Sequence, residues 1–427
     1  MKVALYTLGC RLNQAESESL ADRFSKAGYE VTGPEDAELV IVNTCTVTSK
    51  AEQKARRMIR LFAQSSEVIV TGCYAELGRP ELEAVSPAVT VFSLKEKAGL
   101  LDLPQHITRK LEEGLTLGEA VKCFHGRAYD AFAFDASSFQ YHSRAYLKIQ
   151  DGCDNHCGFC RTSVVRGKSV FLSHQEVIRR ALALEKAGLH EIMLTGVNLS
   201  NYDHAGGGLG GLLKELLAAL GPGMRLRLSS MESDNVDDTL LETLKDKRMQ
   251  PHFHIPVQSA SEKVLKRVGR FDSIDHIRYM IGKMREYKDD PFIACDIITG
   301  LPGETDEEFQ VTYDFLSSLD FSAMHVFPFS PRPGTALYKA KDKVPERIRD
   351  ERAEALRKLS RENSRRYAER QLGKSVEVLS EENGTGTTGN YLKARLSLPE
   401  GRTPVEGMLY TGTVTSIDPV TVTVSKL

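Results

Sequence analysis

Six of the eight cysteines in this 427-residue chain fall into two sets of three. The denser set, Cys153, Cys157 and Cys160, lies in the run C-D-N-H-C-G-F-C, with Phe159 just before the last thiol. Three thiolates can hold three corners of a cubane iron–sulfur cluster and leave the fourth iron open to a small molecule, whereas electron-transfer clusters ordinarily use four cysteines. The other set, Cys10, Cys45 and Cys73, is spread by gaps of 35 and 28 residues, so only the fold can assemble it.

The surrounding elements predict how that happens. Residues 3–8, 39–43 and 67–71 are short β-prone runs, with helical apolar spacing over 14–27 and 50–62 between them. Strand, helix, strand with short connections predicts a doubly wound parallel sheet. Each cysteine of the spread set follows one of these strands, and loops at the carboxyl ends of such strands share one edge. The three thiols are thus expected to converge on a second cluster. Taken singly, each cysteine reads as a small buried hydrophobe. Zinc is the competing ligand, although its sites usually contain C-x2-C pairs that this set lacks.

A connecting segment over 104–141 leads into a second α/β pattern. Its expected strands are 146–150, 191–195, 225–229, 252–257, 292–298 and 323–329, with helices at 174–187, 209–220, 236–244 and 304–319 between them. Six such units are too few for a closed eight-fold barrel. From about residue 373 the chain turns to Val/Thr-rich runs at 376–380, 391–398, 407–415 and 419–425. They predict a small antiparallel β-barrel, a shape often found on RNA but not proof of RNA binding.

Composition is that of a globular protein, with 41% hydrophobic and 27% charged residues and a net charge of −2. No apolar run long enough to span a membrane is present. The N-terminus reads as a strand rather than a signal peptide, which predicts a cytoplasmic protein whose free cysteines are ligands or catalysts. Residues 347–370 carry eight arginines and one lysine among interleaved carboxylates, a solvated helix or an RNA grip. Cys295 and the neighbours His252 and His254 read as barrel-core residues, and Cys123 has no ligand role. Gly300, Pro302, Gly303 and Glu304 read as a turn that starts a helix.

The C-x3-C-x2-C run resembles the signature of radical S-adenosylmethionine (SAM) enzymes, and the chain resembles the methylthiotransferases almost end to end. The stretches carrying the match include LGCRLNQAESE, VNTCTVTSKAEQKARR, VTGCYAE, CDNHCGFC, LTGVNL, RLSSMES, HFHIPVQSASEKVLKRVGR, DIITGLPGETDEEF and HVFPFSPRPGT. The resemblance implies an N-terminal cluster domain (1–103), a connector (104–138), a radical SAM core built as an open, partial (β/α)6 barrel (139–370) and a C-terminal TRAM barrel (373–427). The opening motifs look most like the branch acting on N6-threonylcarbamoyladenosine at position 37 of tRNA.

That resemblance implies two [4Fe-4S] clusters, one on Cys10, Cys45 and Cys73, the other, which binds SAM, on Cys153, Cys157 and Cys160. It further implies methylthiolation at adenosine C2, the tRNA anticodon stem-loop as partner, an external electron donor, a sulfur donor and no membrane. Phe159, Gly196, Asn198, Glu232 and Gln258 are the candidate SAM contacts. The chain departs from the family in two places: RTSVVRG follows Cys160 where I-I-P-x-x-R-G is usual, and Ala260 replaces a glycine. Alternative targets for the same chemistry are N6-isopentenyladenosine and an aspartate of a ribosomal protein. A non-catalytic, zinc-bearing RNA-binding protein is the remote alternative.

Overall fold

The computed structural model describes residues 1–126, 130–399 and 402–425. It divides into two compact units: residues 1–141, 146–154 and 160–172 form the first, and 142–145, 155–159 and 173–427 the second.

The first unit is built on a parallel sheet of order β2-β1-β3-β4-β5, with β1 Lys2–Thr7, β2 Glu30–Val31, β3 Leu39–Thr44, β4 Glu67–Gly72 and β5 Val89–Val91. Helices α1 (Arg11–Lys26), α2 (Ser49–Phe62) and α3 (Cys73–Glu83) follow β1, β3 and β4. Every residue of β3 is buried, as a central parallel strand covered on both faces requires. Two apolar clusters fill the faces, one around Leu20, Phe24 and Ile107, the other around Ile59, Phe62 and Leu82. Helices α4 (Leu103–Glu112) and α5 (Leu117–Lys122), strand β6 (Ala145–Lys148), the antiparallel pair β7 (Gln150–Asp151) and β8 (Val170–Phe171), and helix α6 (Thr162–Arg166) lie beyond the sheet in chain order. The expected strands appear within a residue or two of their predicted bounds. The two-residue β2 and three-residue β5 were not predicted, because runs that short carry no periodicity.

In the second unit, helix α7 (His174–Lys186) leads to β9 (Glu191–Thr195), followed by α8 (Gly208–Ala219) and β10 (Arg225–Leu228). After α9 (Asp238–Thr243), β11 (His252–Gln258) meets β10 through bridges at Leu226–Met249 and Ser230–His254. Helices α10 (Glu262–Arg267) and α11 (Ile274–Tyr287), strand β12 (Phe292–Thr299), α12 (Asp306–Ser318) and β13 (Ala323–Pro328) continue the alternation. All sheet pairings from β9 to β13 are parallel. Helix α13 (Glu346–Glu369) packs on β13, and its exposed Arg347, Arg361 and Arg365 pair with carboxylates of the same helix.

A closed barrel of order β14-β15-β16-β18-β17 ends the chain, with β14 Ser375–Ser380, β15 Thr385–Thr388, β16 Lys393–Ser397, β17 Leu409–Asp418 and β18 Thr421–Ser425. It differs from the expected barrel in two ways. The chain between the expected strands 376–380 and 391–398 contains β15, and β16 runs parallel to β18 while the other pairings are antiparallel. Tyr367 of α13 packs into the barrel core with Val378, Val414 and Val424.

Candidate functional site

The spread cysteines come together at the carboxyl edge of the first sheet. Cys10 caps the N-terminus of α1, Cys73 is the first residue of α3, and Cys45 lies between β3 and α2. Each site is at or near a helix N-terminus, where the backbone dipole favours thiolate and other negative charge. The approach is close: a Cβ on Gly9 would lie 2.9 Å from Cys45 Sγ, and Gly9 has φ of +102°. Gly72, with φ of +93°, leaves no room for a side chain either, since its Cβ would lie 2.5 Å from the Thr44 carbonyl. Asn13 ties two of the loops by donating to Leu8 O (2.8 Å) and Thr44 O (3.1 Å).

Burial, with a smaller push from Cys10, raises the Cys45 thiol to about 12. Burial also raises Cys73, against the opposing charge of Arg166 and Lys97. Behind the thiols, buried Glu16 contacts Lys97, Lys148 (2.8 Å) and Arg166 (3.2 Å), and Asp151 contacts Lys148 (2.6 Å) and Arg166 (3.0 Å). Two carboxylates thus face three cations, and the surplus positive charge suits an anionic centre. Burial opposes the charge on Glu16, but Arg166, Lys148 and Lys97 outweigh it and hold the carboxyl well below its usual range.

The segment after Cys160 is anchored in the same unit. Thr162 N donates to Cys160 Sγ at 3.3 Å, and Cys153 N donates to Gly167 O at 3.0 Å. Arg161, the first departure from the family pattern, reaches Thr46 Oγ1 and Glu52 Oε1, both at 2.8 Å. Arg166 donates to Asn13 Oδ1 at 2.8 Å.

In the second unit, Cys157 is half-buried, and Phe159 packs partly buried against Val264, Val268, Leu301 and Leu337. Asn198, Ser200 and Glu232 cluster at the carboxyl ends of β9 and β10, with Ser200 Oγ 2.7 Å from Glu232 O and 3.2 Å from Asn198 Oδ1. Burial raises the Glu232 carboxyl, opposed by the Arg270 guanidinium paired with it. Gly196 follows the end of β9. Gln258 ends β11 in the left-handed region, φ +62°, a conformation costing about 1–3 kcal/mol that persists where surroundings enforce it. The substituted Ala260 is buried and its φ is not positive, so a glycine's freedom is not required there.

Two further hydroxyls had no signal in the sequence. Thr195 Oγ1 and Ser229 Oγ, one step beyond the paired Leu194 and Leu228, are buried without a hydrogen-bond partner. His254, expected in the core, joins a polar trio: its Nε2 lies 2.9 Å and His325 Nδ1 3.1 Å from Asp296 Oδ1. His252 instead stacks on Tyr391, 4.0 Å between ring centroids. Among the described residues, only His254, Asp296 and His325 place three potential ligand atoms within 4.8 Å of one another.

Residues 147–316 match the radical SAM superfamily, and residues 2–93 match "Uncharacterized protein family UPF0004". The threonylcarbamoyladenosine tRNA methylthiotransferase MtaB of Treponema pallidum is 37% identical over 450 residues, covering 91% of this chain and 93% of its own. The enzyme of the same name from Bacillus subtilis is 34% identical, with coverage of 92% and 89%. The chain belongs to the radical SAM methylthiotransferases. A relative from Endomicrobium trichonymphae, 30% identical with coverage of 92% and 91%, is named tRNA-2-methylthio-N(6)-dimethylallyladenosine synthase. The radical SAM methyltransferase TsrM from Kitasatospora setae, solved with cobalamin and a [4Fe-4S] cluster, shares the fold at TM-score 0.53 and 13% identity, covering 79% of this chain and 77% of its own.

This methylthiotransferase uses SAM and [4Fe-4S] clusters. The thiols at helix N-termini fit a cluster, and the unpartnered Thr195 and Ser229 hydroxyls at the strand ends fit a polar cofactor such as SAM. No helix among the described residues is long and apolar enough to cross a membrane.

Proposed function

We propose that this enzyme methylthiolates C2 of N6-threonylcarbamoyladenosine at position 37 of tRNA. The convergence of Cys10, Cys45 and Cys73 on one sheet edge, in a chain that also carries the C-x3-C-x2-C signature, supports this reading most strongly. Cys10, Cys45 and Cys73 hold one [4Fe-4S] cluster, and Cys153, Cys157 and Cys160 hold the other, to which SAM binds. When bound, these cofactors would supply the radical and carry the donor's sulfur, which replacing an unactivated aromatic C–H demands and no side chain can provide.

The protein's own part is positional. Arg166, Lys97 and the helix N-termini favour negative charge at the first triad, while Thr195, Asn198, Ser229, Glu232 and Gln258 offer polar groups to SAM. Phe159 packs beneath its loop and fixes it. The division into 1–103, 104–138, 139–370 and 373–427 assigns cluster, connector, radical SAM and TRAM roles. The anticodon stem-loop is the tRNA partner, electrons and sulfur come from external donors, and the enzyme works in the cytoplasm.

Mass analysis of bulk tRNA from a deletion strain tests the substrate. Loss of 2-methylthio-N6-threonylcarbamoyladenosine, with its unmethylthiolated precursor retained, is expected. Loss of the isopentenyladenosine derivative instead, or of methylthio-aspartate from a ribosomal protein, would move the assignment to another branch.

A further inference from the structure

Phe271 is 83% exposed, more than any other large apolar side chain described. Its neighbours show that this exposure is built in. Arg270 and Asp272, on either side, are buried at 6% and 8% exposure. Arg270 Nε contacts Asp272 Oδ2 at 2.7 Å, while Arg270 Nη2 reaches Glu232 and donates to Pro256 O at 3.1 Å. Ser233 Oγ adds a 2.6 Å hydrogen bond to Asp272 Oδ1. With both flanking side chains held inward by ion pairs, the ring between them is driven into solvent. Leaving a phenyl side chain in water forgoes the favourable burial of its apolar surface. A backbone locked in this way presents the ring with little ordering cost when something covers it.

The position indicates what covers it. Gly158 N donates to Val268 O at 2.7 Å, and a Cβ on Gly269 would lie 3.1 Å from His156 O. The turn before Phe271 is therefore fastened to the loop around Cys157. Glu232 and Pro256, the anchors of Arg270, lie at or near the carboxyl ends of β10 and β11, on the face where a barrel of this kind does its chemistry. Lys266 is exposed on α10, just before the turn, as is Lys263, which pairs with Glu308 at 3.2 Å. An aromatic face beside cationic side chains is the pairing used for single-stranded nucleic acid: the ring stacks on an unpaired base while the cations meet phosphates.

We infer that Phe271 is a stacking platform for an unpaired nucleobase of a single-stranded RNA loop delivered to the barrel mouth. The inference rests on the proposed tRNA substrate and adds the element that receives the loop. Its test uses the full-length reconstituted enzyme and an anticodon stem-loop RNA carrying 2-aminopurine beside the substrate adenosine, with a fully duplexed RNA of equal length as comparison.

Replacing a stacking aromatic by alanine costs about 1–3 kcal/mol per base, so F271A should bind the stem-loop roughly 5- to 150-fold more weakly and lose the fluorescence change that reports stacking. F271W should keep both, and duplex binding should be equal in all three proteins. Equal iron content in F271A and wild type shows that the variant is intact. Stem-loop binding by F271A within twofold of wild type would overturn the inference, as would an equal loss on duplex RNA. Failure of wild type to bind the stem-loop would overturn the proposed function with it. A wild type that binds and stacks but forms no methylthio product would remove the substrate assignment alone and leave Phe271 as the platform.

Discussion

Arg161 Nη1 lies 2.8 Å from Thr46 Oγ1. Arg161 directly follows Cys160, and Thr46 directly follows Cys45, so this one hydrogen bond joins the loops that carry the two cysteine sets. Glu52 completes the bridge at 2.8 Å from the same guanidinium nitrogen, with both side chains largely shielded from water. Arg161 is therefore used as a tie. R161A should lower stability by about 2 kcal/mol, the scale of a shielded hydrogen bond to a charged group, and R161K should restore part of it. Anaerobic thermal unfolding is the measurement; a variant that melts with wild type would show that the tie contributes nothing.

Gly72 precedes Cys73 with φ of +93° and no space for a Cβ. G72A must shift the Thr44 or Cys73 backbone, with a cost of roughly 1–3 kcal/mol for the strained conformation alone. The expected result is loss of iron from the first triad with the second retained, read as a fall in iron content to about half. An unchanged iron content would show that the first triad does not depend on this close approach.

A second buried network gives a pH dependence. Burial raises the Glu191 carboxyl, but Arg227, Arg225 and Arg144 outweigh it and hold the value at about 2. An unfolded glutamate titrates near 4.3, so the folded value is depressed. The resulting stabilisation, about 3 kcal/mol, is complete above the unfolded value and is lost as pH falls from about 4.3 through 2. E191Q should therefore be less stable than wild type at pH 7, and the gap should narrow below pH 4. A gap that is constant from pH 7 to pH 2.5 would contradict this electrostatic origin.

Ala260 permits the opposite experiment. Its backbone does not need a glycine, so A260G should leave SAM affinity unchanged and cost about 0.4–1 kcal/mol through the added freedom of the unfolded chain. Tighter SAM binding by A260G would show that the extra methyl group obstructs the site.

What could be read from the sequence follows from how local each signal was. Cys10, Cys45 and Cys73 each follow a strand with clear apolar character, so their meeting at one edge was foreseeable from topology. The short β2, β5 and β15 were not, since two to four residues cannot establish a period. The charge network behind the thiols was also hidden, because Lys97 and Lys148 lie 81 and 132 residues from Glu16. The trio of His254, Asp296 and His325 comes from three adjacent strands, with Asp296 opposite His325 and His254 opposite Ala294, and could be seen only once they were paired. Phe271 looked ordinary until the burial of both neighbours showed where its ring must point.

The central claim is that two cysteine triads hold two separate cubanes. Iron and sulfide should be counted in the anaerobically reconstituted wild type and in the C153A/C157A/C160A variant. About eight irons falling to about four is the predicted result. Four falling to none would contradict it, leaving the first triad without a cluster and the methylthiotransferase mechanism without its sulfur site.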